Sequence, residues 1–332
     1  MIKFFRQSYA IQYVVIALMA IALWIPAFLS GKATMGLDEP VTPLFNLVDR
    51  LLGSSSIAQH AVAFVLLVLE TLVFNAIVVK HQIVGKVSTM GAFVFVLLMS
   101  LTVTQTNFYP FAFSTLFILL TIGNLFDTYL LPNPEMNLLK AGAFVALASL
   151  CYFPAILLIL WVIIVLPVAK KGSLRLELIP IFGFLFVYFV YFVCIFLFGD
   201  FQALLLGYKD YFTAFHFSVE GFNLWNIILL VLLIVPTALM LFGGKNSGLE
   251  KTVAVRTKIS MTLILTIFAL LTLFLGSNVL MNGLLFIVLS ILVSYTFSYM
   301  NNTGMNNTGW ANLFLTLFMI LVFANHYYFK LL

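Results

Sequence analysis

The stretch IAQHAVAFVLLVLETLVFNAIVV, residues 57–79, decides the fold class of this chain. It is longer than the roughly 20 apolar residues that an α-helix needs to cross the hydrocarbon core of a bilayer. Its one acid, Glu70, lies near the middle. Similar apolar runs recur along the whole chain, so this stretch predicts one membrane-spanning helix among many.

The composition argues against a soluble globular protein. Of the 332 residues, 64% are hydrophobic and 8% are charged, and the mean hydropathy is +1.17. So few charged side chains cannot cover a water-exposed surface, which indicates that lipid solvates it instead. The net charge of +5 is typical of basic cytoplasmic loops and does not indicate a nucleic-acid partner. We therefore predict an all-α, polytopic membrane protein with a single transmembrane domain over residues 1–332.

We predict about eleven transmembrane helices. Their segments are 9–29, 57–79, 88–104, 110–131, 138–152, 154–169, 178–198, 223–243, 259–275, 279–299 and 310–329. The run 138–169 has two interpretations. CYFP at 151–154 is either a tight turn between two short helices or a proline kink in one tilted helix.

The distribution of Lys and Arg predicts the orientation. With the N-terminus inside, twelve of the sixteen Lys and Arg residues fall on the inner side of the eleven-helix arrangement. Because cytoplasmic loops carry an excess of these residues, we predict a bacterial inner-membrane protein with a cytoplasmic N-terminus and an external C-terminus. The two longest outer loops, 30–56 and 199–222, are then the expected working surface, since binding groups concentrate on loops.

An acid pair, Asp38–Glu39, follows the first span within LDEP, residues 37–40. Thr42 and Pro43 then predict the start of a short amphipathic helix at the outer interface. The proline after Glu39 favours an extended backbone there. A carboxylate held just above the hydrocarbon can act as a general base or hold a divalent cation. The alternative is an ordinary solvated loop acid near a helix N-terminus.

This layout resembles the GT-C superfamily, which comprises polytopic glycosyltransferases that use polyprenyl-phosphate sugar donors. The resemblance rests on the acid pair in LDEP, on the short paired spans through 88–169 and on the inner loop AKKGSLRLE at 169–177. It implies that Asp38 or Glu39 is the catalytic base and that the donor lipid lies in a groove between spans. The first outer loop is shorter than in that family. The chain is also similar to bacterial inner-membrane proteins of its length for which no activity follows.

Three outer groups are predicted to bind the lipid phosphate, because cations pair with phosphate oxygens. They are Arg50, Lys209 and His216, and Arg50 is favoured because it lies on the interfacial helix. No two histidines have metal-ligand spacing on one helix. We therefore predict no metal site and no cofactor, apart from the alternative of a divalent cation at the acid pair.

Glu70 supports a second hypothesis. An ionised carboxylate at the centre of a bilayer costs about 2.5 kcal/mol or more, so it needs a partner from another helix or a polar cavity. It either binds or gates in a lipid or solute carrier, or forms an interhelical hydrogen bond that fixes packing. A third hypothesis is a non-catalytic membrane subunit of a larger complex, with a second membrane subunit as its partner.

Overall fold

A computed structural model gives the structure of the chain for residues 2–5, 7, 9–30, 42–53, 55–84, 88–101, 106, 108–129, 131–199, 202, 206, 208–209, 231, 234, 253–275, 283–299 and 308–327. Within these residues 88% are helical and no strand is present. Five of the described helices are long and apolar enough to cross a bilayer. The predicted all-α class is confirmed, and the long apolar helices are consistent with a helical membrane protein.

The described helices follow the predicted segments closely. They are α1 (Ile2–Phe5), α2 (Ala10–Ser30), α3 (Pro43–Leu52), α4 (Ser56–Lys80), α5 (Met90–Met99), α6 (Pro110–Thr128), α7 (Glu135–Cys151), a 3₁₀ helix (Phe153–Leu157), α8 (Leu158–Val168), α9 (Leu174–Phe198), α10 (Val253–Leu275), α11 (Leu284–Tyr299) and α12 (Thr308–Tyr327). Helices occupy ten of the eleven predicted segments. The remaining segment, 223–243, lies almost entirely outside the described residues.

The chain makes a turn at CYFP rather than a kink. Helix α7 ends at Cys151, and Tyr152 is extended, with φ −142° and ψ 104°. The 3₁₀ helix then begins at Phe153, with Pro154 in its first turn, where a proline costs no hydrogen bond. Of the two interpretations of 138–169, two separate helices are therefore correct.

Ion pairs mark one end of the helix bundle. Lys80, the last residue of α4, pairs with Asp127 near the end of α6 (N···O 2.7 Å). Arg175, at the start of α9, pairs with Glu135, the first residue of α7 (2.8 Å). We call this end, defined by these four residues, the basic end. The pairs show that α4 and α6 finish where α7 and α9 begin.

The opposite end is built from aromatic side chains. Phe45 of α3 packs between the rings of Phe108 and Phe113, with centroids 4.9 and 5.8 Å away. Ser149, near the end of α7, meets Tyr188 in the second half of α9 (O···O 2.8 Å). We call this end, defined by these five residues, the aromatic end. Helix α3 carries mostly apolar residues together with Asn46, Asp49 and Arg50, and it is amphipathic as predicted. Phe45 is buried against the bundle, whereas Leu47 and Leu51 are exposed.

Helices α7 and α9 touch backbone to backbone. A Cβ on Gly142 of α7 would overlap the carbonyl of Pro180 in α9. A Cβ on Gly183 of α9 would overlap the carbonyl of Leu139 in α7. Small residues let transmembrane helices approach this closely, so van der Waals packing holds the pair. The contact between α7 and α9 runs from the basic end toward the aromatic end.

Helix α5 lies at the centre of the bundle. All ten of its residues are buried, as expected for a helix that is apolar on every side. It is shorter than the predicted span 88–104, because the helix stops at Met99. The two residues after α5 find side-chain partners on α12: Asn325 donates to the carbonyl of Leu101 (3.0 Å), and a ring nitrogen of His326 lies 2.6 Å from the carbonyl of Ser100.

Candidate functional site

The structure describes three of the six predicted site residues. Arg50 lies exposed in the last turn of α3, and Lys209 is also exposed. Glu70 is buried within α4, with 2% of its surface exposed. The predicted base, Asp38 or Glu39, and the phosphate ligand His216 lie outside the described residues.

The aromatic end brings hydroxyl groups together between α7 and α9. Ser149 donates to the backbone carbonyl of Ala146 (2.8 Å), which uses its single proton. Tyr188 must therefore donate to the Ser149 oxygen, 2.8 Å away. Both side chains are buried, so this pair fixes the Tyr188 ring in one orientation against α7.

Two further tyrosines extend this group. The hydroxyls of Tyr191 and Tyr208 are buried and have no hydrogen-bond partner among the described residues. The ring of Tyr191 lies edge-on to Tyr188 (6.4 Å), and that of Tyr208 packs on Phe153 (5.6 Å). Burial raises the pKa of Tyr208, and the neighbouring Tyr188 and Tyr191 add to the rise, so the phenol stays protonated. We call Ser149, Tyr188, Tyr191 and Tyr208 the tyrosine cluster.

A buried hydroxyl without a partner is unusual in proteins. Leaving such a group unsatisfied costs about 1–3 kcal/mol, so native structures pair it with protein, water or ligand. Phenol rings with free hydroxyls offer both an apolar face and a donor. The tyrosine cluster can therefore accept a polar group attached to an apolar one, such as a sugar or a lipid headgroup.

Helix α3, which follows the predicted acid pair in the sequence, contacts this cluster. Leu44, in its first turn, packs against the buried group formed by Ala146, Leu150 and Tyr188. The acid pair itself lies outside the described residues.

Glu70 occupies a different, central position. Its Oε1 atom is buried and has no hydrogen-bond partner among the described residues. Thr71, its neighbour in the chain, donates instead to the carbonyl of Leu67 (2.7 Å). Tyr109, just before the first residue of α6, is a buried phenol close enough for its charge and that of Glu70 to interact. The partner from another helix stays a prediction.

A cavity of about 410 Å³ opens elsewhere, between α1, α2, α5 and α12. Its lining is entirely apolar and consists of Phe4, Phe5, Val15, Met19, Phe93, Met319 and Phe323. It includes neither Glu70 nor a member of the tyrosine cluster. Its chemistry suits a hydrocarbon chain and no polar substrate.

Sequence reasoning missed the tyrosine cluster because its residues lie inside apolar runs. The available signal was the spacing of Tyr188 and Tyr191, which places two hydroxyls on one face of α9. It also missed Asn325 and His326, a polar pair in an otherwise apolar helix. Among the described residues, no group of three or more His, Cys, Asp or Glu side chains could hold a metal ion.

No family model, curated protein or solved structure matches this chain. Its function must therefore be argued from its own residues.

Proposed function

We propose that this chain is a polytopic inner-membrane protein that acts on a polyprenyl-phosphate-linked sugar at its aromatic end. The observation that carries the proposal is the pair of buried hydroxyls of Tyr191 and Tyr208, which have no partner in the described part of the chain and lie beside the helix that follows the acid pair. A sugar supplies hydroxyls for these phenols and an apolar face for their rings. A polyprenyl chain is solvated by the exposed phenylalanines and leucines of α9.

The proposed topology has eleven spans, with the basic end in the cytoplasm. Phe198, at the end of α9, lies at the aromatic end, because Arg175 places the start of α9 at the basic end. Lys258, near the start of α10, lies at the basic end, close enough to His81 for its charge to act there. The predicted span 223–243 would connect these two ends. The positive-inside rule places the Lys- and Arg-bearing end in the cytoplasm.

In the proposed reaction, Asp38 or Glu39 takes the proton from an acceptor hydroxyl. The acceptor oxygen then bonds to the anomeric carbon of the donor sugar. The bond from that carbon to the phosphate oxygen breaks, and its electron pair leaves with the polyprenyl phosphate. Arg50 and Lys209 stabilise the phosphate by charge, with His216 as a third donor. A divalent cation at the acid pair is the alternative way of holding the same phosphate.

The test is the lipid that copurifies with the protein in mild detergent, identified by mass spectrometry. We expect a polyprenyl phosphate or its sugar conjugate in the wild type. The double variant Asp38→Asn/Glu39→Gln should retain the uncleaved conjugate. The matched control, Glu135→Gln, removes an acid at the basic end and should behave as wild type. Bulk phospholipid alone in every sample would refute the proposal.

A carrier is the second candidate, favoured by Glu70 and by the early end of α5. Transporter sites form where helices are interrupted inside the bundle, and intramembrane acids mark ion or substrate paths. Here α5 ends at Met99, and one oxygen of Glu70 has no hydrogen-bond partner among the residues that the structure describes. In proteoliposomes, Glu70→Gln should abolish proton-linked solute flux, whereas Asp38→Asn should not. If neither the acid-pair variant nor Glu70→Gln changes retained lipid or flux, a non-catalytic subunit with a second membrane subunit as partner is the remaining proposal.

A further inference from the structure

The basic end holds a group of charged and titratable side chains that the proposed function does not use. Lys80 and His81 lie at the end of α4, Asp127 lies at the end of α6 and Lys258 lies in the second turn of α10. The Lys80 ammonium contacts both carboxylate oxygens of Asp127 at 2.7 Å. The Nε2 atom of His81 lies 3.6 Å from Asp127 Oδ1, too far for a hydrogen bond.

Two members of this group are buried. Lys258 is 2% exposed, and among the described residues no acid forms an ion pair with its ammonium within 4.0 Å. His81 is 2% exposed, and both of its ring nitrogens lack a hydrogen-bond partner within the described part of the chain. A buried charge is strongly destabilising unless it is paired. Asp127 attracts the Lys258 ammonium but already pairs with Lys80 through both of its oxygens, so one carboxylate is shared between two lysines.

We propose that Lys80, His81 and Lys258 form a binding site for a phosphate group at the basic end. With His81 neutral, the two lysines and Asp127 together carry one net positive charge, which a singly charged phosphodiester would neutralise. The ammonium of Lys258 and one ring N–H of His81 supply the missing donors. Basic pockets between transmembrane helices on the cytoplasmic side bind anionic lipid headgroups in this way.

The residues disfavour a cation. A divalent ion prefers several oxygen ligands, whereas this group offers one carboxylate and two lysines. Asp127, the one acid in this group, is already paired with Lys80 and is therefore a poorer ligand for a cation. A phosphate can arrive as the headgroup of an anionic phospholipid or as a free ion, and both present the same oxygens to Lys258.

Binding should take up a proton at His81. In the empty site the pKa of His81 is lowered to about 4, because of burial first and the charge of Lys258 second; Lys80 also lowers it, and Asp127 opposes the change. These three charges, with the Phe126 ring packed edge-on at 5.4 Å, surround the imidazole. A bound phosphate adds a negative charge and so raises this pKa. Affinity should therefore increase as the pH falls toward the pKa of about 4 that His81 has in the empty site.

The experiment uses the full-length chain in a neutral detergent and isothermal titration calorimetry. The probes are short-chain phosphatidylglycerol, phosphatidylcholine of the same chain length and inorganic phosphate. Phosphatidylglycerol is a phosphodiester and does not titrate in this pH range. We expect it to bind at least about fivefold tighter than phosphatidylcholine, as one unneutralised lysine predicts. Competition by inorganic phosphate would identify the phosphate itself as the ligand, and its failure to compete would identify the lipid headgroup.

Lys258→Gln should remove this preference. Arg256→Gln is the matched control, since Arg256 is exposed on the same helix and its replacement removes the same charge. Equal binding of the two lipids by the wild type, or equal losses in both variants, would overturn the proposal. If Lys258→Gln unfolds, Lys258→Arg keeps the charge and should retain the preference within about twofold.

His81→Gln gives a second, independent result. It should fold and still prefer phosphatidylglycerol, but its affinity should no longer rise between pH 7 and pH 5. An unchanged pH dependence would contradict the assignment of His81 to the site. Because the site lies at the opposite end from the tyrosine cluster, this result and the copurification result are independent of one another.

Discussion

At the basic end of the bundle, opposite charges face one another across helix ends, whereas at the aromatic end phenol hydroxyls converge on a serine. The pairs Lys80–Asp127 and Arg175–Glu135 are partly or largely exposed. The pair Ser149–Tyr188 is buried. Water and salt screen exposed pairs, so they contribute little to stability. Water cannot replace the partner of a buried hydroxyl, so losing that partner costs the full desolvation free energy of the hydroxyl.

This difference indicates that the contacts that stabilise the α7–α9 pair and the groups available to bind a ligand lie in different parts of the pair. The backbone contact between α7 and α9 should supply most of the stability of this pair, because Gly142, Pro180 and Gly183 are buried. The ion pairs at its basic end mainly mark orientation. The hydroxyls at its aromatic end are available for recognition. Four predictions test this division, from the largest expected effect to the smallest.

Gly142→Ala should have the largest effect. The new Cβ would overlap the Pro180 carbonyl, and a backbone atom cannot move aside as a side chain can. We expect a loss of more than about 4 kcal/mol of unfolding free energy, or no folded protein at all. Thermal unfolding in detergent measures it.

The matched control is Gly123→Ala in α6. Its Cβ would meet the flexible end of Ile77 at 3.3 Å, so that the neighbour can shift. The change should stay within about 1 kcal/mol of wild type. Equal losses of unfolding free energy in Gly142→Ala and Gly123→Ala would mean that the α7–α9 contact contributes no more to stability than the contact at Gly123.

Acid should destabilise the basic end through His81. Its pKa is about 4 when folded and about 6.5 in a model peptide, mainly because of burial. The unfolded chain therefore binds a proton at higher pH than the folded one does. The stabilisation is complete above pH 6.5 and is lost as the pH falls toward 4, by up to about 3 kcal/mol.

The measurement is the free energy of unfolding of wild type and His81→Gln between pH 7.5 and pH 4, without anionic lipid. The variant should lose less stability over this range. Parallel curves would show that His81 is not buried in the neutral form.

The sequence predicted the helices better than their contacts. Helices α2 and α4 match their predicted spans within a residue or two, because unbroken apolar runs define both ends. The early end of α5 was missed, since the run continues as LTVTQTN while the stop depends on Asn325 and His326, more than 220 residues away. Such long-range partners leave no local pattern.

The same limit applies to the site. Arg50 and Lys209 were predicted to bind the lipid phosphate; both are exposed, and their role stays a prediction. The acid pair lies outside the described residues, so its role stays a prediction. The role of Tyr188 could not be predicted, because the sequence of an apolar run does not show whether a tyrosine hydroxyl is hydrogen-bonded. The Lys80–Asp127 pair could not be predicted either, since each residue alone is typical of an ordinary helix end.

Two tyrosine variants separate pairing from recognition at the aromatic end. Tyr188→Phe removes the donor to Ser149 and should cost about 1 kcal/mol. Tyr191→Phe removes a hydroxyl that has no partner among the described residues, so it should leave the empty protein unchanged or stabilise it by about 1 kcal/mol. It should nevertheless reduce the amount of copurified glycolipid. A stability loss in Tyr191→Phe equal to that in Tyr188→Phe would mean that this hydroxyl is bonded within the protein.

Arg175→Gln should have the smallest effect, although it breaks a 2.8 Å contact between α7 and α9 at the basic end. The Arg175 side chain is 80% exposed and Glu135 49% exposed, so water replaces the pair when it is broken. We expect a loss of less than about 0.5 kcal/mol, which should vanish in high salt. Unfolding of Arg175→Gln and Tyr188→Phe under the same conditions compares the two ends of one helix pair directly. If Arg175→Gln lost as much as Tyr188→Phe, the charged contacts would hold α7 and α9 together, and the two ends would not differ in the way that their burial implies.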